Sequence, residues 1–555
     1  MEVLTTILIL LTAVVASSII ARAWPAAPPL PLIQIALGAL IAQSLDLRIS
    51  LEPDSFLLLF VAPLLFLDGW RIPREGLFRD KWTIIALAIG LVVVTVVGAG
   101  FFIHWLIPAM PLAVAFALAA VLSPTDAVAL SAITARTPVP KRLMHILEGE
   151  SLLNDASGLV CLQFAIAAAI TGTFSVVDAS TSFIWLATGG IGIGVVGTVL
   201  ANAAKDGISK HFGEETGTQI LISLLIPFGV YIAADHLKAS GILAAVAAGM
   251  MMGYEERSGR AQAITRIRRA AVWDAIQFAG NGTIFVLLGQ QLPGIVRGAE
   301  QAIVQSGREH ELWLLAYIVA ISCALATVRS LWVWATLDLF LFRRSRSKSD
   351  MQTPVRHLVA VASLAGVRGA LTLSGVMTLP LILNDGSPFP TRDLAIILAA
   401  GTIIVSMITA SVGLPRLMKG VRLPLDTAQH QEEEAARLAS AHAAIRTLKQ
   451  VIQDTENQSP DASHYIEAAA QIASHYRQRI KTREGLAQDL YLAQRIDAIE
   501  LELRILALHA ERNELYRLAR SGQLVDEIAG PLIREIDLQE SRFLARKLHH
   551  RLSLT

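Results

Sequence analysis

Up to residue 418 the chain is a succession of apolar runs joined by short polar links. The runs lie near 3–21, 30–46, 54–69, 82–106, 111–133, 144–170, 182–204, 217–236, 239–254, 271–292, 311–341, 357–381 and 394–415. A bilayer-spanning helix needs about 20 predominantly apolar residues. The pattern therefore predicts an all-α polytopic membrane protein with about thirteen spans. Charged residues make up 17% of the chain, against about 25% in soluble proteins, which excludes a water-soluble domain over this stretch. The first twenty residues, MEVLTTILILLTAVVASSII, have no basic region ahead of the apolar run. They read as a first span and not as a cleaved signal peptide.

Loop charge gives the orientation. Cytoplasmic loops carry an excess of Lys and Arg. With the N-terminus outside, the cytoplasmic loops hold 20 basic residues, among them Arg74, Lys141, Arg266 and Arg344, and the outer loops hold 5. This alternation predicts a cytoplasmic C-terminus. The net charge is +1 with no basic patch, so nucleic acid is not an expected partner. Cys161 and Cys323 fall inside apolar runs and read as small core residues, not as a disulfide or metal site. The boundaries expected are a membrane domain over 1–418 and a cytoplasmic helical domain over 419–555. In the latter, Leu492, Ile496, Ile499, Leu503 and Leu506 recur at helical spacing. That tail reads as a packing or dimerisation module, or as a regulatory switch.

The few polar residues at membrane depth carry the function. A charge there is costly and marks a pathway or site. Span 5 contains "SPTDAVAL" at 123–130, where Pro124 removes a backbone donor beside Thr125 and Asp126. Span 12 contains Gly366, Gly369 and Gly375 around Arg368. Interrupted helices at corresponding positions in two halves point to a transport site. The two lie seven spans apart, so spans 1–6 and 8–13 read as repeats of opposite orientation. Half-helix ends carry partial charge. Asp126 suits the positive end of the opposite broken helix, and Arg368 suits the negative one. Span 6 opens with "EGESLLNDASGLV", which holds Glu148, Glu150, Asn154 and Asp155. A short loop joins spans 5 and 6, so Asp155 can face the break at Thr125 and Asp126. Carboxylate, hydroxyl and carbonyl oxygens suit a hard monovalent cation. Burial disfavours an ionised carboxylate, so such a group holds either a proton or a cation. That competition is sufficient for exchange.

SPTDAVA, EGESLLNDASGLV and GVRGA, in this order and spacing, resemble the sodium/proton exchanger family over about residues 1–418. The resemblance implies thirteen spans, two inverted six-helix repeats, crossed broken helices, a homodimer, and exchange of sodium or lithium for protons without a cofactor. By motif it makes Asp155 the exchanging carboxylate, with Ser151 and Thr125 as sodium ligands and Asn154 beside them. It gives Asp126 a supporting role at the crossed helices and pairs Glu150 with an arginine, here Arg329. Many relatives carry an acidic residue directly after the Phe of span 3. Here that slot is Leu67, and Asp68 follows it. One residue turns a side chain by about 100°, which argues against a place for Asp68 in the ion site itself and leaves the cytoplasmic approach as its expected position. Exchangers outside this family that move two protons per sodium carry two adjacent carboxylates in span 6. Asn154 is neutral, so one-for-one electroneutral exchange is expected, at the inner membrane, with potassium also possible.

Other classes lack their signatures. An intramembrane aspartyl protease needs a Gly-x-Gly-Asp pattern and a channel a repeated filter, and neither is visible, so an enzyme is not expected. The runner-up is an ion-coupled symporter or a uniporter for another small solute.

Overall fold

Apolar segments in hydrocarbon have no water for their amides and carbonyls, so each closes its own hydrogen bonds as a helix. In a computed structural model of the chain, the described residues are 2–24, 28–45, 53–72, 79–134, 139, 141–171, 176–256, 262–298, 312–337, 355–383, 386–418, 427–455, 462–486, 490–521, 523–524 and 526–554. Among them the only strand-like pairing is an isolated bridge between Ile382 and Pro388. The chain divides into two units, Met1–Arg422 and Leu423–Thr555.

In the first unit, helix falls within each expected span, with 46 and 338–341 outside the described residues and 365–369 not helical. The helices are α1 (Glu2–Ala23), α2 (Leu30–Leu45), α3 (Ala62–Arg71), α4 (Val92–Leu106), α5 (Leu112–Leu122), α6 (Ala127–Thr134), α7 (Lys141–Thr171) and α8 (Val176–Phe212). They continue with α9 (Thr216–His236), α10 (Gly241–Glu256), α11 (Ala263–Arg297), α12 (Leu312–Leu337), α13 (Val355–Leu364), α14 (Ala370–Met377) and α15 (Arg392–Met418). Short helical lead-ins at Pro53–Phe56 and Lys81–Ile85 pass through π-helical turns, Leu57–Val61 and Ala86–Leu91, into α3 and α4. Among the described residues, eight helices are long and apolar enough to cross a membrane, and α5 with α6 makes a ninth as a pair bent by 43°. The bend falls at Pro124, which cannot donate to the preceding turn.

The packing separates the unit into two bundles. Helices α1–α3 and α8–α11 pack chiefly on one another, and so do α4–α7 and α12–α15. Small residues let helices meet closely in lipid. At the α2–α11 contact, a Cβ on Gly38 would run into the Val286 carbonyl and one on Gly289 into the Ile35 carbonyl. Large apolar side chains such as Leu8, Trp105, Leu225, Leu331 and Trp334 stay exposed on the outer faces, as lipid requires and water would not favour. Cys323 shares that exposed position, so it is not the core residue its apolar surroundings suggested.

The second unit comprises α16 (Thr427–Thr455), α17 (Ala462–Leu486), α18 (Leu490–Arg520) and α19 (Asp526–Leu554). Helix α16 packs on α17 through Ala441, Ile445 and Ile480. The apolar stripe expected on α18 is not its buried face. Ile499, Leu503 and Leu506 are exposed, whereas Leu501, Ile505 and Leu508 are buried. The side chains of Leu492 and Ile496 lie outside the described residues. The helix carries two apolar stripes, and it packs on α19. One turn on from Leu508 on the buried face, Arg512 pairs with Asp537 at 2.9 Å and with Glu540, and neighbouring His509 meets Glu540 at 2.6 Å.

Candidate functional site

The site forms where two helices stop short at the same depth. Helix α5 ends at Ser123, α13 ends before Gly366, and the backbones of the two breaks join directly, the Asp126 amide donating to the Val367 carbonyl at 2.8 Å. The end of α5 leaves carbonyls without intrahelical partners, and a helix C-terminus carries partial negative charge. Arg368 answers both, donating from Nη1 to the Ser123 and Pro124 carbonyls at 2.9 Å each. Its own amide donates to Ser406 Oγ at 3.0 Å.

Asp126 lies at the positive ends. Its Oδ1 accepts from the Val128 and Ala129 amides at 2.8 and 3.0 Å, which caps α6. Its other oxygen sits where a Cβ on Gly369 would be, and Gly369 is the N-cap of α14. Any larger residue at 369 would displace that carboxylate. Asp126 thus serves the N-terminus of its own second half-helix while touching that of the opposite broken helix.

Helix α7 presents two polar faces. On one, Glu148, Ser151 and Asp155 lie three and four residues apart and line a common cavity. On the other, Glu150 and Asn154 point into the protein. Arg329 grips Glu150 through both nitrogens, Nη1–Oε1 at 2.5 Å and Nη2–Oε2 at 2.9 Å, and donates from Nε to the Ala362 carbonyl at 3.0 Å. Asn154 donates to Thr125 Oγ1 at 2.9 Å, and Thr125 Oγ1 donates to Glu150 at 3.3 Å. Asn154 is not among the residues lining the cavity. Its bond to Thr125 fixes the break from behind.

The cavity has a volume of about 350 Å³. It lies between the two bundles, with Asp68, Gln277 and Asn281 on one side and Thr125, Asp126, Glu148, Ser151, Asp155 and Thr372 on the other. Asp155 is only 8% exposed, yet among the described residues no hydrogen bond reaches its carboxylate. Ser151 Oγ donates to the Thr125 carbonyl at 2.7 Å and accepts from the Ala127 amide at 3.0 Å. A hydroxyl or carbonyl oxygen has two lone pairs. Thr125 Oγ1, the Thr125 carbonyl and Ser151 Oγ each keep one beyond these bonds. The arrangement offers a buried anion and several neutral oxygens to a small cation, in a cavity that water can enter.

Asp68 shares this cavity with Asp155, while Leu67 is buried in the core of the opposite face. Glu148, Arg71, Gln277, Asn281 and Thr372 line the cavity as well, with no role expected from the motifs. A signal existed for Glu148, which precedes Asp155 by two helical turns.

Comparison with known proteins gives one family. The transmembrane sodium/hydrogen exchanger family matches residues 7–420. An uncharacterised Na(+)/H(+) exchanger of Escherichia coli, YjcE, is 40% identical over 98% of this chain and 99% of its own length. A sodium, potassium, lithium and rubidium/H(+) antiporter of Bacillus pumilus is 37% identical over 99% of this chain and 77% of its own. In fold, the sodium proton antiporter MjNhaP1 of Methanocaldococcus jannaschii superposes with a TM-score of 0.56 at 20% identity, over 76% of this chain and 99% of that one.

Proposed function

The chain belongs to the sodium/hydrogen exchanger family, and we propose that it exchanges a monovalent cation for a proton at Asp155. The observation that carries this reading is a carboxylate buried in a cavity with no hydrogen-bonding partner among the described residues, where Thr125 and Ser151 line the same cavity. Sodium or lithium, and potassium as the name of the Bacillus relative suggests, binds the Asp155 carboxylate with Thr125 and Ser151 completing its shell. Protonation of Asp155 removes the charge that holds the cation, so each passenger displaces the other. Glu150 with Arg329, and Arg368 with the α5 carbonyls, hold the breaks in place around it. Asp68 lies on the approach.

The wider organisation follows the same reading. Residues 1–418 form a thirteen-span antiporter domain with inverted repeats, working as a homodimer in the bacterial plasma membrane. The N-terminus is outside, and residues 419–555 form a cytoplasmic helical domain. A symporter would need proton and solute bound together and a uniporter needs no proton at all, whereas a carboxylate that holds one passenger or the other carries them in opposite directions.

One exchanging carboxylate releases one proton per monovalent cation, so the occupied site has the same charge with either passenger. Asn154 adds no charge, and the Asp126 carboxylate is engaged as a helix cap. A net elementary charge would feel about 2.3 kcal/mol per 100 mV, and a one-for-one exchanger feels none. Purified protein in proteoliposomes tests both points. An imposed sodium, lithium or potassium gradient should drive proton movement read by a pH dye, and in the sodium and lithium experiments, with the same potassium concentration inside and outside throughout, the rate should be equal with and without valinomycin. No cation-driven proton movement would refute the exchange reading. A rate that changes several-fold with voltage would refute the stoichiometry.

A further inference from the structure

The cavity wall carries four carboxylates, Asp68, Asp126, Glu148 and Asp155, and among the described residues a single basic side chain, Arg71. Arg71 follows Asp68 by three residues on α3, so the two are neighbours on one helix face. Its guanidinium does not turn to Asp68. Nη1 donates to Gln277 Oε1 at 2.7 Å, and Nη2 pairs with Asp274. Both partners belong to α11, and Asn281 continues the same helix face along the cavity. The Arg71 and Asp274 side chains are 39% and 64% exposed. A pair that open contributes little to stability, so its position at the cavity rim matters more than its strength.

We propose that Arg71 is a tethered competitor of the transported cation, held on α11 by Asp274 and Gln277 so that Asp68 stays free to receive cations. This rests on the exchange reading above. A guanidinium is permanently charged, and its planar fork matches a carboxylate. Released from Asp274, it occupies Asp68 and repels an entering cation. Asp274 therefore sets the apparent cation affinity without touching the cation.

The test is a double-mutant cycle in proteoliposomes, reading apparent KM and maximal rate for sodium. Asp274→Asn should raise KM roughly three- to ten-fold, the scale of one charge at a partly screened site, with the maximal rate little changed. Arg71→Gln alone should leave KM at or a little below that of the parent, because the tether already holds the guanidinium away. In the Arg71→Gln background Asp274→Asn should have little further effect, because nothing remains to release. Equal effects of Asp274→Asn in both backgrounds would mean simple addition of surface charge and would overturn the proposal. If Asp274→Asn does not fold, Gln277→Ala, which removes the uncharged tether, takes its place in the same cycle, and equal effects in both backgrounds or no rise in KM overturns the proposal. The parent is measured alongside. A parent without sodium-driven proton movement removes the exchange reading itself, whereas an active parent with additive variants removes only the role of Arg71.

Discussion

Asp155→Asn is expected to abolish cation-driven proton movement while leaving the protein folded. Asparagine has nearly the shape of aspartate, and no hydrogen bond to the Asp155 carboxylate exists among the described residues for it to break. What it loses is the proton that must be released and the negative charge that must hold the cation. Neutral oxygens at Thr125 and Ser151 remain, but each already serves the helix break. They are too few to replace a cation's water shell unaided. The measurement is a sodium pulse to proteoliposomes of the variant, after size-exclusion and melting profiles have been matched to the parent. Signal at the level of empty liposomes is the expected result. Retained exchange would place the exchanging group elsewhere, with Asp68 and Glu148 the next carboxylates in the same cavity.

Glu150→Ala is expected to act on stability. The Glu150 and Arg329 side chains are 1% and 3% exposed, so neither charge finds water when its partner is removed. Breaking such a pair costs about 3–5 kcal/mol. The remaining bond from Arg329 to the Ala362 carbonyl does not neutralise the guanidinium. Loss of Glu150 also removes the acceptor of Thr125 Oγ1, so the span 5 break loosens along with the α7–α12 contact. Melting of the detergent-purified variant should fall well below the parent. A second substitution, Arg329→Leu, should recover part of the loss by removing the orphaned charge. A variant that melts like the parent but needs far more sodium would make Glu150 a ligand instead of a brace.

The breaks were legible because their causes are local. Pro124 removes a donor whatever surrounds it, and the Gly366–Gly369 stretch marks the second interruption. Arg368 was expected at a negative helix end and lies on the α5 carbonyls. The rim of the cavity was less legible because it depends on partners about two hundred residues away, as with Arg71 and Gln277. Asp68 shows a subtler reason. Its offset from the position acidic in relatives argued for a place on the approach, yet it lines the same cavity as Asp155. Phe66 and Leu67 pack into the core with Ala245, Met252 and Trp273, while Asp68 faces the cavity. Those partners lie far along the chain, and periodicity cannot register them. The tail was legible as helix but not in its packing. Spacing identified an apolar stripe on α18 but not which of two stripes would be buried, and the ion pairs at Arg512 and His509 sit beside the other one.

The central claim is that one carboxylate holds either a proton or a cation. Proton release on cation binding tests it without any membrane. Sodium or lithium added to detergent-purified protein in weakly buffered solution should release up to about one proton per cation bound, reached at pH values where the carboxylate is protonated before the cation arrives and falling away at higher pH, as one titrating carboxylate in linkage with its ligand requires. Asp155→Asn should release none. Cation binding to the parent without proton release at any pH, or release that persists undiminished in Asp155→Asn, would contradict the account.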